Sequence, residues 1–182
     1  SLYGGTIVLN KEGDILTILN RNNGLNDNVH YYLYYTDDSN LWMCTSNGIS
    51  AWNIHSPFIY WDYTQGIDGI VLDIDEYDEN VFVASMTGIY SIPKDYKTNT
   101  STFPSVSRLL DKEIWELCNV STKEKDFLLI GTGSGLYMFD GKLSEIRNSE
   151  LVLKILQLKK YPDLILAFMD DAMDLYRWNG RH

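Results

Sequence analysis

One phrase recurs along this chain, and its spacing restricts the fold more than anything else in the sequence. Ser46-Asn47-Gly48-Ile49-Ser50-Ala51-Trp52-Asn53 returns as Met86-Thr87-Gly88-Ile89-Tyr90-Ser91-Ile92-Pro93. It returns again as Gly133-Ser134-Gly135-Leu136-Tyr137-Met138-Phe139-Asp140. A worn copy, Asp174 to Asn179, closes the chain, and Gly5 to Asn10 fits the same frame. The copies lie roughly 40 to 47 residues apart. The clearest one sits in the stretch from Gly24 to Asn53. There, Val29 to Thr36, Leu41 to Thr45 and Ile49 to Asn53 read as three antiparallel strands, joined by Asp37-Asp38-Ser39-Asn40 and by Ser46-Asn47-Gly48. Asn-Gly between two apolar runs is a strong hairpin signal, because both residues tolerate positive φ. So small a sheet cannot bury its apolar faces alone. Strand-rich units at this period cover one another's faces by stacking as the blades of a β-propeller.

The second strand of the unit repeats too. Leu41-Trp42-Met43-Cys44 aligns with Val81-Phe82-Val83-Ala84, Leu128-Leu129-Ile130-Gly131 and Leu164-Ile165-Leu166-Ala167. Three successive apolar positions predict a strand buried on both faces. The fourth position is always small, which suits a place where a neighbouring backbone comes close.

The residues Gly24-Leu25, Asn28-Val29, Asp37, Leu41-Trp42, Thr45 and Gly48-Ile49 form the pattern G-L-x-x-N-x-V, D, L-W-x-x-T-x-x-G-[IL]. It resembles the two-component-regulator propeller repeat. Gly66-Ile67 to Ile89 and Leu110 to Leu136 are looser copies, so the resemblance runs over essentially the whole chain. The resemblance implies seven-bladed propellers, which lie in tandem in the periplasmic sensor region of hybrid histidine kinases that detect glycans.

The expected architecture is therefore all-β: a partial propeller ring of about four four-stranded antiparallel blades, read as a fragment of a larger propeller. A half-blade spans 1–20, with strands Thr6 to Asn10 and Ile15 to Asn20. Blades span about 25–63, 69–109 and 113–147, and a partial blade spans 151–182, all in a single domain. The first blade ends in an aromatic outer strand, Phe58 to Tyr63, and the second carries a polar loop insertion, Lys94 to Thr102. Leu151 to Lys160 has helical propensity, yet Val152 to Leu158 occupies the innermost-strand slot of the repeat and is read as a strand. An uncovered blade face of ~400 Å² forfeits on the order of 10 kcal/mol of burial, an upper bound. Self-association, or packing against other blades of a parent propeller, is the expected remedy.

Composition narrows the function. The net charge is −10 and no basic run occurs, which argues against nucleic acid. No transmembrane segment or signal peptide is present in the sequence given, so no membrane contact is expected from it. The acidic run Asp73 to Glu79, at the end of a strand and in the turn that follows, reads as a solvated turn and does not match the spacing of an EF-hand loop. Cys44 and Cys118 read as buried thiols acting as small apolar residues. His30, His55 and His182 are far apart, without partners at metal-ligand spacing. Gly131-Thr132-Gly133-Ser134-Gly135 lacks the Lys and the helix of a phosphate loop and reads as a hairpin turn. Thr36 to Trp42 faintly resembles the Asp-box of sialidase propellers, but it is one residue short and does not recur. No pair of carboxylates can be nominated for glycosidase chemistry. No catalytic residue, metal or cofactor is expected.

Strand alternation places the loop into each innermost strand on the same side as the turn between strands two and three. Most of the loop-borne Asn, Asp, Glu and Gln fall on that side. Turn chemistry accounts for many of them, but such side chains also bind sugar hydroxyls. The candidate ligand-binding residues are Asn28, Asp68, Glu113 and Glu150. The resulting expectation is a non-catalytic, periplasmic segment that senses a small molecule or oligosaccharide and passes the signal to a histidine kinase. The alternatives are a scaffold or adhesion propeller, or a glycan-active propeller enzyme.

Overall fold

The computed structural model describes residues 4–53, 61, 63–94, 105–148 and 150–179. The described residues contain sixteen β-strands and two short 3-10 turns. The strands form five antiparallel sheets in strict chain order. The all-β class expected from the repeat is what is found, in meanders of the kind that make propeller blades. The described residues divide into two compact units, one up to Gly66 and one from Ile67 onward.

In the first unit β1 (Thr6–Leu9) and β2 (Ile15–Leu19) form a hairpin. A 3-10 turn, Arg21–Asn23, leads to the meander β3 (His30–Tyr35), β4 (Asn40–Thr45) and β5 (Gly48–Asn53). Leu19, Leu25, Leu41 and Met43 form its core, with Val8 and Trp52 packed against them. The expected outer strand over Phe58 to Tyr63 lies outside the described residues, apart from Trp61 and Tyr63. Tyr63 opens the second 3-10 turn, Tyr63–Gln65.

The second unit begins with the four-stranded sheet β6 (Val71–Tyr77), β7 (Asn80–Ser85), β8 (Gly88–Pro93) and β9 (Ser107–Leu110). The next sheet is β10 (Ile114–Ser121), β11 (Asp126–Thr132), β12 (Gly135–Phe139) and β13 (Leu143–Asn148). The third is β14 (Val152–Leu158), β15 (Tyr161–Met169) and β16 (Met173–Arg177). The ambiguous segment is thus a strand, and its partner across the ladder is β15. The insertion after Lys94 lies outside the described residues.

Two cores hold these three sheets face to face. Tyr77, Phe82, Ala84 and Ile89 of the first sheet meet Ile114, Leu117, Leu128, Ile130 and Tyr137 of the second. Val120, Phe127, Leu129, Leu136 and Met138 of the second meet Val152, Ile155, Ile165, Ala167 and Met169 of the third. The middle sheet is covered on both faces, which is why β11 is apolar without alternation. The expectation of two buried faces holds for β7 and β11 but not for β4, whose residues alternate and whose Trp42 and Cys44 are exposed.

The small fourth position has a structural cause. A Cβ on Gly131 would meet the carbonyl oxygen of Val152 at 2.8 Å, so the strand of the next sheet passes directly over it. Cys44, Ala84 and Gly131 pair with Ile49, Ile89 and Leu136. The register of the third sheet shifts the last copy by one residue. Leu117 faces Ile130 and Ile155 faces Ala167, so Phe168, not Ala167, stands where Gly131 does.

The motif Thr also has a physical role. Thr132 Oγ1 donates to the Gly135 carbonyl at 2.9 Å and accepts from Ser134 N at 3.1 Å. Thr45 does the same for Gly48 and Asn47. The two central residues of the first such turn are therefore Ser46 and Asn47. Only Gly48, at φ 106°, uses the left-handed region there. A register shift occurs near the start of every innermost strand, between His30/Tyr32, Val71/Asp73, Ile114/Glu116 and Val152/Lys154. Nothing in the apolar pattern announces these bulges.

Both cysteines are free thiols, but Cys44 is exposed rather than buried. Cys118 is half-buried against the second core of the larger unit, and burial pushes its thiol up.

Candidate ligand-binding rim

Three innermost strands of the larger unit, β6, β10 and β14, run side by side in the same direction. Leu117 N donates to Asp73 Oδ2 at 2.8 Å and Asn119 N to Asp75 Oδ2 at 2.6 Å. Ser121 N donates to Gln157 Oε1 at 3.3 Å. The starts of all three strands therefore lie at one end of the unit. Asp68, Glu113 and Glu150 sit in the segments that lead into them. The turns after the second strands share that end: Met86 N donates to the Ile70 carbonyl at 3.0 Å and Gly133 N to the Glu113 carbonyl at 3.0 Å.

Each nominated residue is engaged. Asp68 Oδ1 accepts from Gly69 N at 2.8 Å, an Asx-type contact. Its carbonyl accepts from Ser85 Oγ at 2.5 Å and Thr87 Oγ1 at 2.7 Å. The Glu113 carboxylate lies over Gly133, its Oε2 3.0 Å from where a Cβ would stand. The Trp115 indole nitrogen borders the same spot at 3.7 Å. Both oxygens of Glu150 lie 3.2 Å from Arg147 Nη2, and Arg147 also pairs with Asp174 of the next sheet. In the smaller unit Asn28 Oδ1 accepts from Arg21 N at 2.7 Å, and the Asn28 carbonyl accepts from Gly5 N at 3.2 Å. Its neighbour Asp27 is held below the usual carboxylate range by the Ser46 hydroxyl and then by the Val29 amide.

Sequence reasoning missed the cations of this rim. Lys112 Nζ donates to Tyr137 Oη at 2.6 Å and to Ser134 Oγ at 3.1 Å, and lies 4.9 Å from the centre of the Tyr137 ring. One sheet earlier, Arg108 sits 5.7 Å over the Tyr90 ring and bonds the Thr87 carbonyl and Asp111. Cation–π contact of this kind contributes roughly 0.5–1 kcal/mol at exposed sites. A signal existed: Arg108 to Asp111 and Arg147 to Glu150 repeat the spacing R-x-x-[DE]. The rim thus alternates carboxylates, cations over tyrosines and hydroxyls, a set able to hydrogen-bond a polyhydroxylated molecule.

Asp73 to Glu79 spans the end of a strand and its turn as expected, but its first two carboxylates are not simply solvated. Asp73 and Asp75 lie within β6 and accept from amides of β10, and only Asp78 and Glu79, both at positive φ, make the turn. His30 is likewise committed: its Nε2 donates to the Asp27 carbonyl at 2.9 Å, and its Nδ1 lies 2.5 Å from Thr6 Oγ1. His55 and His182 lie outside the described residues. Among the described residues no group of three His, Cys, Asp or Glu side chains converges as metal ligands would. No helix there is long and apolar enough to cross a membrane.

No family model matches this chain, and no curated protein does. Solved structures do resemble it. The extracellular domain of the putative one component system BT4673 from B. thetaiotaomicron is 15% identical over 100% of this chain and 26% of that one, with a TM-score of 0.48. A second structure, described as the extracellular domain of the putative hybrid two component system BT4673, is 16% identical over 98% and 26%, also at 0.48. The chain thus spans about a quarter of the length of these relatives. BBS1N in complex with ARL6DN is 11% identical over 98% of this chain and 60% of that one, with a TM-score of 0.51. That last likeness is one of fold alone.

Proposed function

We propose that this chain is a ligand-sensing segment of a propeller that belongs to a hybrid two-component sensor histidine kinase. It acts outside the cytoplasm, binds an oligosaccharide or similar polyhydroxylated molecule, and passes the event to a kinase carried elsewhere. The segment itself is non-catalytic. Asp68, Glu113 and Glu150 form the ligand rim of the larger unit, and Asn28 serves the same role in the smaller one. Further blades, of the parent chain or of a second copy, complete the propeller.

The observation that supports this reading is the parallel run of β6, β10 and β14. It gathers Asp68, Glu113 and Glu150 at one end, beside Lys112 and Tyr137. The repeat carried by Gly24-Leu25, Leu41-Trp42, Thr45 and Gly48 supplies the sensor-kinase context. Calorimetric titration with a panel of oligosaccharides tests it. At least one should bind, and Glu113→Ala with Lys112→Ala should weaken that binding at least about tenfold without unfolding the chain. A panel with no binder, or a binder indifferent to both changes, would overturn the rim. Turnover of any of these sugars would favour the glycan-enzyme alternative.

A further inference from the structure

The repeat shows what each position of a sheet needs for the fold, so a departure from it in one sheet calls for another cause. Such departures gather at the rim of the β10–β13 sheet. The Glu113 carbonyl accepts from Gly133 N, as the Val29 carbonyl does from Ser46 N and the Ile70 carbonyl from Met86 N. That slot is apolar in the other sheets, where Val29, Ile70 and Leu151 fill it. The slot before it, held here by Lys112, contains Asn28, Gly69 and Glu150 elsewhere. Trp115 occupies the bulge of β10, where the other innermost strands carry Tyr31, Leu72 and Leu153. Bulges re-aim side chains and are common beside binding sites.

Gly133 is the fourth departure. Ser46 and Met86 hold the same turn position, and Gly133 is not in the left-handed region, so the backbone does not ask for glycine there. Its missing side chain leaves space instead. A Cβ on Gly133 would stand 3.0 Å from Glu113 Oε2 and 3.7 Å from Trp115 Nε1, so both side chains border the same point. Three groups around it lack a matching partner among the described residues. The Trp115 indole nitrogen is buried and makes no hydrogen bond. A buried indole N–H ordinarily has an acceptor. Lys112 Nζ meets only the hydroxyls of Tyr137 and Ser134 and the Tyr137 ring, and forms no ion pair. Glu113 is exposed and pairs with no cation. Of Asp68, Glu113 and Glu150, Glu113 alone has a carboxylate with no bonded partner there, since Gly69 N donates to Asp68 and Arg147 to Glu150.

We propose that Lys112, Glu113 and Trp115, around the space at Gly133, form the subsite for one uncharged sugar unit that carries two adjacent hydroxyls. This rests on the reading of the rim as an oligosaccharide site and names the unit and its contacts. The exposed Glu113 side chain turns outward, and a hydroxyl enters beside Gly133. That hydroxyl accepts from the Trp115 N–H and donates to the Glu113 carboxylate, and its neighbour accepts from Lys112. A hydroxyl is both donor and acceptor, so one group satisfies the indole and the carboxylate together. The charges of Lys112 and Glu113 are opposite and cancel. A carboxylate or sulfate on the unit would sit against Glu113, and an ammonium against Lys112, so the pair selects against both.

NMR titration of the isotope-labelled chain tests it, with the Trp115 indole N–H resonance assigned sequence-specifically. The probes are neutral xylo-, arabino-, galacto-, manno- and gluco-oligosaccharides and an oligogalacturonate. A neutral oligosaccharide should bind and move that resonance. Trp115→Phe and Gly133→Val should each weaken its binding at least about tenfold, and the oligogalacturonate should bind at least about tenfold more weakly. A neutral binder that leaves the Trp115 resonance unmoved, or that binds both variants as well as the unaltered chain, overturns the subsite. If Lys112→Ala with Glu113→Ala still weakens that binder, the rim stands without the subsite. Equal or tighter binding of the oligogalacturonate overturns the uncharged class and the proposal with it. A panel with no binder overturns subsite and rim together. The indole resonance and Gly133→Val decide the matter if Trp115→Phe does not fold.

Discussion

Gly131→Ala is a small change with a well-defined obstacle. The added Cβ would stand 2.8 Å from the Val152 carbonyl oxygen, 3.0 Å from its Cγ1 and 3.3 Å from its Cβ. The nearest of these is backbone, and Val152 is 1% exposed, so β14 as a whole must give way. Overpacking of this sort costs typically 1–3 kcal/mol. Against it stands the gain of about 0.4–1 kcal/mol from reducing the freedom of the unfolded chain, available because Gly131 is not in the left-handed region. The obstacle wins by roughly 0.5–2 kcal/mol. With a urea m-value of about 1–3 kcal/mol/M, the unfolding midpoint should fall by about 0.2 to 2 M at unchanged m. Gly131→Val should fall further. A raised midpoint for the alanine variant would mean that β14 does not pass over β11, and the face-to-face packing of the second and third sheets would be wrong.

Phe127→Ala, at a position 1% exposed and 4.6 Å from the Trp178 ring centre, should cost about 3–5 kcal/mol in the same urea titration. Thr132→Val keeps the volume of a fully buried side chain but removes its hydroxyl's two bonds, to Ser134 N and the Gly135 carbonyl; about 1–3 kcal/mol should be lost, measured by thermal or urea unfolding. The carboxyl of Glu116 is raised by burial, so the folded state holds its proton more tightly than the unfolded chain does. That group's contribution is therefore greatest at low pH and lost as pH rises above the ordinary carboxylate range. Glu116→Gln should remove this component, seen as a change in the slope of stability against pH between about 4 and 7.

The fold was legible because its period was. The phrase Leu41 to Asn53 and its echoes fix strand order, and the slot occupied by Val152 to Leu158 outweighs helical propensity. Register was less legible. A one-residue shift turns a strand over, and the last copy lacks the Gly and the Thr or Ser that anchor the others, so the apolar pattern aligns Ala167 where Phe168 stands. Cys44 lies inside a strand, which reads as burial from the sequence, but it stands on the exposed side of β4 with Trp42. The rim carboxylates were found from topology, since the loops that share an end follow from antiparallel order alone. The cations at the same rim are not: Lys112 and Arg108 are held there by Tyr137 and Tyr90, in contacts between residues distant in sequence.

The acidic run shows why composition misled. Five carboxylates in seven residues look like solvent-facing charge, and for Asp78 and Glu79 they are. Yet an innermost strand has a backbone edge with no strand beside it, and an exposed edge recruits other strands unless something occupies it. Asp73 and Asp75 lie on alternate residues, the spacing at which a strand presents successive groups to one side. Alternate carboxylates in β6 therefore meet alternate amides in β10. β10 continues the device with Glu116, which pairs with Lys154, and β14 answers with Gln157. The polar residues of these strands thus serve the seams between sheets as directly as the apolar ones serve the cores. A strand whose charges alternate in a repeat of this kind is better read as an edge with its caps than as a turn.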